Sequence, residues 1–574
     1  MCLINILDIN KKTIEMIKNR SNLHKISLFT VSLFFTSAIL AQSIEIVSYG
    51  ENPLVVNPLT GSDLTVNFKY TSETGSTGNH LFIGLEVLDA NNNYVSYVNG
   101  VTLENQTAGT DETGSLSFFV GSSNQTSENL PTGHYYQVKA ILFTSGGWTE
   151  NAWAGYWNSP ILILEIDSNQ QFSTNTIAKG ADISWMTEME DQGYIWKDND
   201  GNTKELLPLL KEYNLDAVRL RVWVNPENSD ANGWCDIDDL VDKAELANAL
   251  NMDILISIHY SDHWADPGQQ TKPATWTSYT VAQLETAVTN HTTAILTALN
   301  AVGITPKWIQ IGNETNDGML WTTGKASSGG FTNYAKFVNA GLNVVKNYNS
   351  SIKTVLHLAS GNNNPLFRWN IDGLINNGLN ASNLDIVGMS LYPDENNWKN
   401  LVDNTYSNML DIKSRYSKEV MMVEIGFSSS LKDVSHQFIT YMIEKTRQAE
   451  GLGVFYWEPI GISPFTSYSK GAWDDDRSPS IAMDAFINRV TLSIDDLENT
   501  NDNLFKIFPN PSSEFISIEI LNTTFASVEV YNMLGKVVKR IPNYKNMQTI
   551  NISNLSEGVY IFKVNGKGFK FLKN

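Results

Sequence analysis

Cysteine is almost absent from this chain. Two occur in 574 residues, Cys2 and Cys235. Cys2 lies in a segment expected to be removed on export, which leaves no internal disulfide and no cysteine-based metal cluster. Charge is sparse too, with Asp, Glu, Lys and Arg making up 18% of residues. Positive charge is the scarcer sign: 40 Lys and Arg stand against 61 Asp and Glu, for a net −21. An acidic surface repels phosphate, which excludes nucleic acid and anionic membrane as partners and disfavours polyanionic polysaccharides. A neutral polymer fits better. Long hydrophobic runs are missing apart from Ile26–Ala41, which follows Lys18, Arg20 and Lys25. A basic stretch, a short apolar run and a terminal small residue form the export pattern, so residues 1–41 are expected to be a signal peptide cleaved after Ala41. A membrane anchor is the alternative, the run being near the lower length limit for spanning.

What is present divides the chain into three further units. Residues 43–167 carry DLTVNFKY, HLFIGLEVLD, GSLSFFVG, YYQVKAILF and PILILEI, which alternate apolar and polar residues between Gly, Asn and Ser clusters. That pattern predicts an N-terminal antiparallel β-sandwich, a carbohydrate-binding or immunoglobulin-like module. Trp148, Trp153 and Trp157 fit either a sugar platform or a packed seam. The polar stretch Ser168–Thr176 reads as a linker. Residues 178–490 alternate short apolar strands with helical stretches. Eight strands are expected at 179–184, 216–224, 253–260, 307–314, 353–360, 384–392, 419–427 and 452–459. This is the period of an α/β fold of the (β/α)8 barrel type. After an acidic linker at 491–503, the tail at 504–574 turns basic, with nine Lys and Arg against four Glu. Its FPNP at 508–511, the strand pair in VYNMLGKVV and the terminal GVYIFKV…GKGFKFLK resemble the C-terminal sorting domain of the type IX secretion system of Bacteroidetes-like bacteria, a small β-sandwich. A small immunoglobulin-like module is the other reading.

In a barrel, side chains at the C-terminal strand ends converge on one mouth, and glycoside hydrolysis needs two carboxyl groups there. Glu314 in IQIGNETN ends strand four, and Glu424 in MMVEIGF ends strand seven. A desolvated carboxyl holds its proton and suits a general acid, so Glu314 is the candidate acid/base. Glu424 is the candidate nucleophile, which needs a cationic neighbour. Arg219 and Arg221 share parity on strand two, and Arg219 is the favoured partner. Supporting candidates are Asp182, His259, Asp262, Trp264, Asp266, Asn313, His357, Tyr392 and Trp457. Asn313 is placed to bind a sugar hydroxyl, Tyr392 to donate to the nucleophile and Trp457 to floor the sugar at the cleavage point. Asp266 could instead cap a turn, since it precedes Pro267. Packing or loop hydrogen bonding is the alternative for each of the others.

These residues sit in motifs that resemble glycoside hydrolase family 53, the arabinogalactan endo-β-1,4-galactanases. The motifs are GADISWMTEMEDQG (180–193), VRLRVWVNP (218–226), HYSDHWADPGQQ (259–270), IGNETNDGMLW (311–321), GMSLYP (388–393), VEIGF (423–427) and GVFYWEP (453–459). The resemblance implies a retaining enzyme with acid/base Glu314 and nucleophile Glu424, acting inside β-1,4-galactan or type I arabinogalactan by double displacement. The sequence departs from the family pattern at Ala359, where a polar residue is common. No cofactor is expected. Some bacterial members hold calcium near strands seven and eight, and Asp474, Asp475 and Asp476 are weak candidates, because three consecutive acids do not match an alternating ligand loop. The expected partners are galactan and the type IX machinery, with the enzyme a monomer, secreted or attached to the cell surface. Another barrel hydrolase acting on mannan or xylan, and a non-catalytic surface carbohydrate-binding protein, are the alternatives. HYSDHWADP argues against the first and the two glutamates against the second.

Overall fold

The computed structural model describes residues 42–72, 79–143, 150–154, 161–167, 170, 172–228, 233–487, 505–520, 525–532, 537–564 and 567–574. The expected signal peptide, the acidic linker, Trp148 and Trp157 lie outside the described residues. Of Trp153 only the backbone, in strand Glu150–Ala154, is described. No described helix is long and apolar enough to cross a membrane.

Residues 178–456 supply a closed barrel of eight parallel strands in chain order. They are β1 (Ala178–Asp182), β2 (Ala217–Val222), β3 (Asp253–Ile258), β4 (Trp308–Ile311), β5 (Lys353–Leu358), β6 (Ile386–Leu391), β7 (Glu419–Ile425) and β8 (Gly453–Tyr456). β8 closes onto β1, with Gly180 beside Phe455. Most strands stop two or more residues short of the pattern-based expectation. The apolar pattern runs on into loop residues that turn over the barrel mouth, and these carry much of the chemistry. Helices such as Val281–Ala301 pack outside. That helix starts at a capping box in which the Thr280 and Gln283 side chains satisfy each other's backbone N–H groups.

The barrel interior changes character along its axis. Its lower layers hold Ala217, Leu255, Trp308, Val355, Ile386, Met421, Val423 and Phe455. Two residues further along the same strands, the buried side chains are Arg219, Ser257, Gln310 and His357. Alternation places these on one face, because side chains repeat every second residue in a strand. β7 breaks the rule. Val423 belongs to the apolar layer, yet Glu424 also reaches the barrel interior, where it bonds Arg219. The register between β6 and β7 slips at this point, from Met389 opposite Met422 to Ser390 opposite Glu424. A bulge adds one residue and re-aims the next side chain.

The N-terminal unit is a two-layer β-structure. Ser43–Tyr49, Ser62–Thr71 and Glu112–Val120 form one sheet, and a second is built on Tyr94–Gln106, Asn79–Leu88, Tyr135–Phe143 and Glu150–Ala154. Ile46, Val66, Leu81, Ile83, Leu85 and Val138 share its core. The strands at 43–49, 54–56, 94–106 and 150–154 are additions to those the alternation marks. Tyr94–Gln106 is half-exposed throughout and lacks clean alternation.

The unit is docked on the barrel rather than tethered to it. Gln437, fully buried on helix Lys432–Gln448, accepts from Ser122 N and Oγ at 2.7 and 2.6 Å and donates to Pro58 O at 3.1 Å. The described part of the expected linker is pinned too: Ser173 N donates to Glu444 at 2.7 Å, and Asn175 Nδ2 to Arg447 O at 3.0 Å. The C-terminal unit has a three-stranded and a four-stranded antiparallel sheet closing over Ile518, Val530, Phe562 and Phe571.

Candidate active site

Glu424 and Glu314 meet at the barrel mouth. Glu424 leaves the β7 bulge with both oxygens engaged. Arg219 Nη2 lies 2.7 Å from Oε1, and Tyr392 OH donates to Oε2 at 2.8 Å. Arg219 is fully buried and held by Asp182 at 2.5 Å, Ser257 at 2.9 Å and Asn313 Oδ1 at 2.8 Å. A guanidinium with this many fixed acceptors is pre-organised, and its charge offsets the burial of Glu424. Burial raises the affinity of Glu424 for a proton, while Arg219 and the Tyr392 hydroxyl oppose that rise.

Glu314 stands past the end of β4 with φ 45°. This left-handed conformation is costly for a residue with a Cβ, and it aims the side chain across the mouth. Its Oε1 lies 2.6 Å from Ser390 Oγ. Burial and then the neighbouring Glu424 charge push its carboxyl well above the usual carboxylate range. One oxygen of Glu314, one of Glu424 and a ring nitrogen of His357 all lie within 4.8 Å of one another. Two carboxylates this close do not both ionise readily, and Arg219 on Glu424 decides which keeps the charge. The arrangement therefore holds Glu424 as the anion and Glu314 as the acid.

The other expected residues divide by role. Asn313 Nδ2 donates to Ala265 O at 2.8 Å while its Oδ1 accepts from Arg219 and Gln310. His357, fully buried, contacts Asn313 Oδ1 and Ser390 Oγ, and burial followed by the Arg219 charge keeps it neutral. His259 is buried edge-on to Trp223 and Trp264, and its Nδ1 accepts from Ala265 N at 3.3 Å. Trp264, Trp457 and Trp185 form an aromatic cluster, with ring centroids 5.8 Å apart for Trp264 and Trp457 and 5.2 Å for Trp185 and Trp457. Asp262 holds loops, accepting from Asn225 N at 3.0 Å and Ala274 N at 2.8 Å. Asp266 caps its turn, accepting from Gly268 N at 2.7 Å, which is the alternative the Asp-Pro pair offered.

Among the described residues, none of Asp474, Asp475 and Asp476 falls in a cluster of three or more metal-ligating side chains. Asp474 accepts from Lys432 Nζ, and Asp476 accepts from Ser478 Oγ at 2.7 Å. The donor atoms of Glu314, His357 and Glu424 converge, but the Arg219 guanidinium already supplies the positive charge among them.

Two site residues, Ser390 and Gln310, are not singled out by the sequence. Ser390 sits between Glu314 and His357, and a serine two residues before Tyr392 with the same parity is the available signal. Gln310 has the same parity as Trp308 and turns its amide onto Ser257 Oγ at 2.8 Å. Arg221, the other β2 candidate, pairs with buried Glu458 at 3.2 Å and lies 4.2 Å from the Trp264 ring centroid. Glu458 has φ 44° and accepts from Trp185 N at 3.2 Å.

A parallel barrel with a hydrogen-bonded anion and a proton-bearing carboxyl facing each other at its C-terminal mouth has the form of a glycoside hydrolase. Residues 178–494 match the model of Glycosyl hydrolase family 53, and the chain belongs to that family. Residues 506–574 match the secretion system C-terminal sorting domain. A probable arabinogalactan endo-β-1,4-galactanase A of Aspergillus fumigatus is 31% identical over 325 residues, covering 53% of this chain and 89% of its own length. The arabinogalactan endo-β-1,4-galactanase A of Aspergillus niger is 29% identical over 337 residues, covering 55% and 93%. The family 53 catalytic domain of Ignisphaera aggregans has a TM-score of 0.49 and 27% identity, covering 54% of this chain and 95% of that domain.

Proposed function

We propose that this chain is a retaining endo-β-1,4-galactanase that cleaves galactan and type I arabinogalactan by double displacement. The observation that carries the mechanism is the approach of Glu314 and Glu424 to within 4.8 Å between oxygens. Retaining enzymes keep their carboxyl groups about 5–5.5 Å apart, whereas inverting enzymes leave about 6.5–9.5 Å for a water. Glu424 attacks the anomeric carbon while Glu314 gives its proton to the departing glycosidic oxygen. Water then enters, Glu314 takes its proton, and the glycosyl–Glu424 ester is broken with net retention. Arg219 and Tyr392 hold Glu424 in line, and the steps use only side chains of this chain. The names of the Aspergillus relatives support the choice of galactan.

Both carboxyl groups and Arg219 come from one barrel, so a single chain holds the whole catalytic pair. The C-terminal unit directs it through the type IX machinery of a Bacteroidetes-like bacterium, to be released or held at the surface. The test is incubation of the mature protein with linear β-1,4-galactan, mannan and xylan, following products and their initial anomer by NMR. Short β-anomeric galacto-oligosaccharides from galactan alone are expected. Initial α-anomers would overturn the retaining mechanism. Products from mannan or xylan instead would overturn the substrate.

A further inference from the structure

The barrel mouth has two cavities, and the acid step decides which end of a sugar chain each receives. One is lined by Glu314, Ser360, Asn362 and Tyr392, which follow β4, β5 and β6. The other lies across the mouth, where β2 and the segments after β1, β2, β3 and β8 meet, and is lined by Trp185, Glu188, Arg221, His263, Trp264 and Phe465. Glu314 gives its proton to the departing oxygen, so the leaving part of the chain occupies the Glu314 cavity. The part that becomes bonded to Glu424 then extends the other way, into the second cavity. A sugar ring offers apolar C–H faces and a rim of hydroxyl donors, and is held by an aromatic wall with a polar acceptor beside it.

Both parts are present in the second cavity. Trp185 is the wall. Its backbone N–H donates to Glu458, and its ring meets Trp457, Phe465, Tyr468 and Trp264 edge-on at 5.2, 5.7, 6.0 and 6.1 Å between centroids. A ring gripped on so many sides is already ordered, so binding loses little entropy. Glu188 is the acceptor. It stands partly buried on the short helix Met186–Asp191. The cations nearest to it are committed elsewhere, Arg221 to Glu458 at 3.2 Å and Lys243 to Asp239 and to Ser184 O. Among the described residues Glu188 joins no ion pair, and its side chain accepts only from Gln192 Nε2, at 3.4 Å. A partly desolvated carboxylate left with open acceptor sites gains from a donor that brings no charge of its own, and sugar hydroxyls are such donors. We propose that this cavity is a galactosyl subsite on the non-reducing side of the cleaved bond, where Trp185 stacks on the sugar ring and Glu188 accepts from its hydroxyls. The inference rests on the galactanase reading above and adds where that enzyme grips its substrate.

The first test uses the unaltered protein. β-1,4-Galactohexaose labelled at its reducing end is cleaved, and the labelled products are sized. A subsite that grips the non-reducing side places the cuts near the reducing end, so label mainly on galactose and galactobiose is expected. Label mainly on galactotriose or longer fragments overturns the proposal, whether or not any variant folds. The second test is Glu188→Ala and Trp185→Ala on the same substrate. Losing a hydrogen bond to a charged group costs about tenfold or more in affinity, and a contact made equally in the ground and transition states acts on KM alone. A KM raised about tenfold or more with kcat little changed is therefore expected, with the cuts moving towards the middle of the hexaose. An unchanged KM in Glu188→Ala, or a loss confined to kcat, overturns the proposal. Hexaose left intact by the unaltered protein would overturn the galactanase reading and this inference with it, whereas cleavage that leaves the label on long fragments would overturn this inference alone.

Discussion

Glu314 is kept protonated at a cost in stability. Its carboxyl titrates above the usual range because burial and the Glu424 charge oppose ionisation. An unfolded chain has no such constraint and loses the proton near the ordinary value of about 4.3. Between those two values the folded state binds more protons than the unfolded one, so stability falls as pH rises through the window and levels off above the folded value. Gln cannot ionise in the folded or the unfolded chain, so it removes the cost of holding a proton on this carboxyl in the fold. Glu314→Gln should therefore raise Tm at pH 7 by roughly 2–4 °C, with the gain shrinking towards pH 4. Thermal unfolding monitored at both pH values checks this. The same variant should lose about 10²–10⁴-fold in kcat on galactan. A variant that is less active yet no more stable at pH 7 would contradict this account of Glu314. Glu424→Ala should abolish turnover, measured as product released, while Arg219 keeps its bond to Asp182 and the fold survives.

Two features of the strands decide where these side chains go. The first is room inside the barrel. Phe455 on β8 lies over Gly180 on β1, and a Cβ on Gly180 would meet the ring at 2.3 Å. Trp308 packs edge-on against the same ring at 6.0 Å between centroids. Gly180→Ala should destabilise the barrel by about 1–3 kcal/mol, read as a lower denaturant midpoint. An unchanged midpoint would mean that Phe455 swings aside freely. The second feature is the β7 bulge. Strict alternation with Met421 and Val423 inward would turn Glu424 outward, among the helices, and the inserted residue brings it back. Parity predicts the inward set on β2, β4 and β5 correctly, because those strands are regular there. It cannot predict a bulge, which depends on how β7 pairs with both neighbours. Strand ends are similarly illegible. Glu314 and Glu458 continue an apolar pattern, yet both sit in left-handed turns beyond their strands.

The whole molecule joins an N-terminal sandwich to the barrel through polar groups buried at the seam. Gln437 satisfies the Ser122 N–H, hydroxyl and Pro58 carbonyl at once. Gln437→Leu leaves the Ser122 hydroxyl bonded to Pro58 O but strands the Ser122 N–H, at about 1–3 kcal/mol. Calorimetry should then resolve a sandwich transition below that of the barrel, with faster proteolysis between residues 168 and 176. A single unsplit transition would show that the apolar part of the contact suffices. The helix bearing Gln437 directly follows β7, so the sandwich is braced against the element that carries the nucleophile.

The order of the units, the eight-strand rhythm and the two glutamates are legible along the chain, because each is written in local composition, in periodicities of two and 3.6 residues, or in motifs a few residues long. Which atoms meet is a property of the folded barrel. Asn313, His357, Ser390 and Glu314 come from three neighbouring strands and adjoining loops, and nothing in their spacing reveals that they form one chain of contacts. The same holds for the pairing of Arg219 with Glu424 and Arg221 with Glu458. Both arginines have the same parity and the same residue type. Only the closure of the barrel, which sets β2 across from β7 and near β8, gives each its own carboxylate.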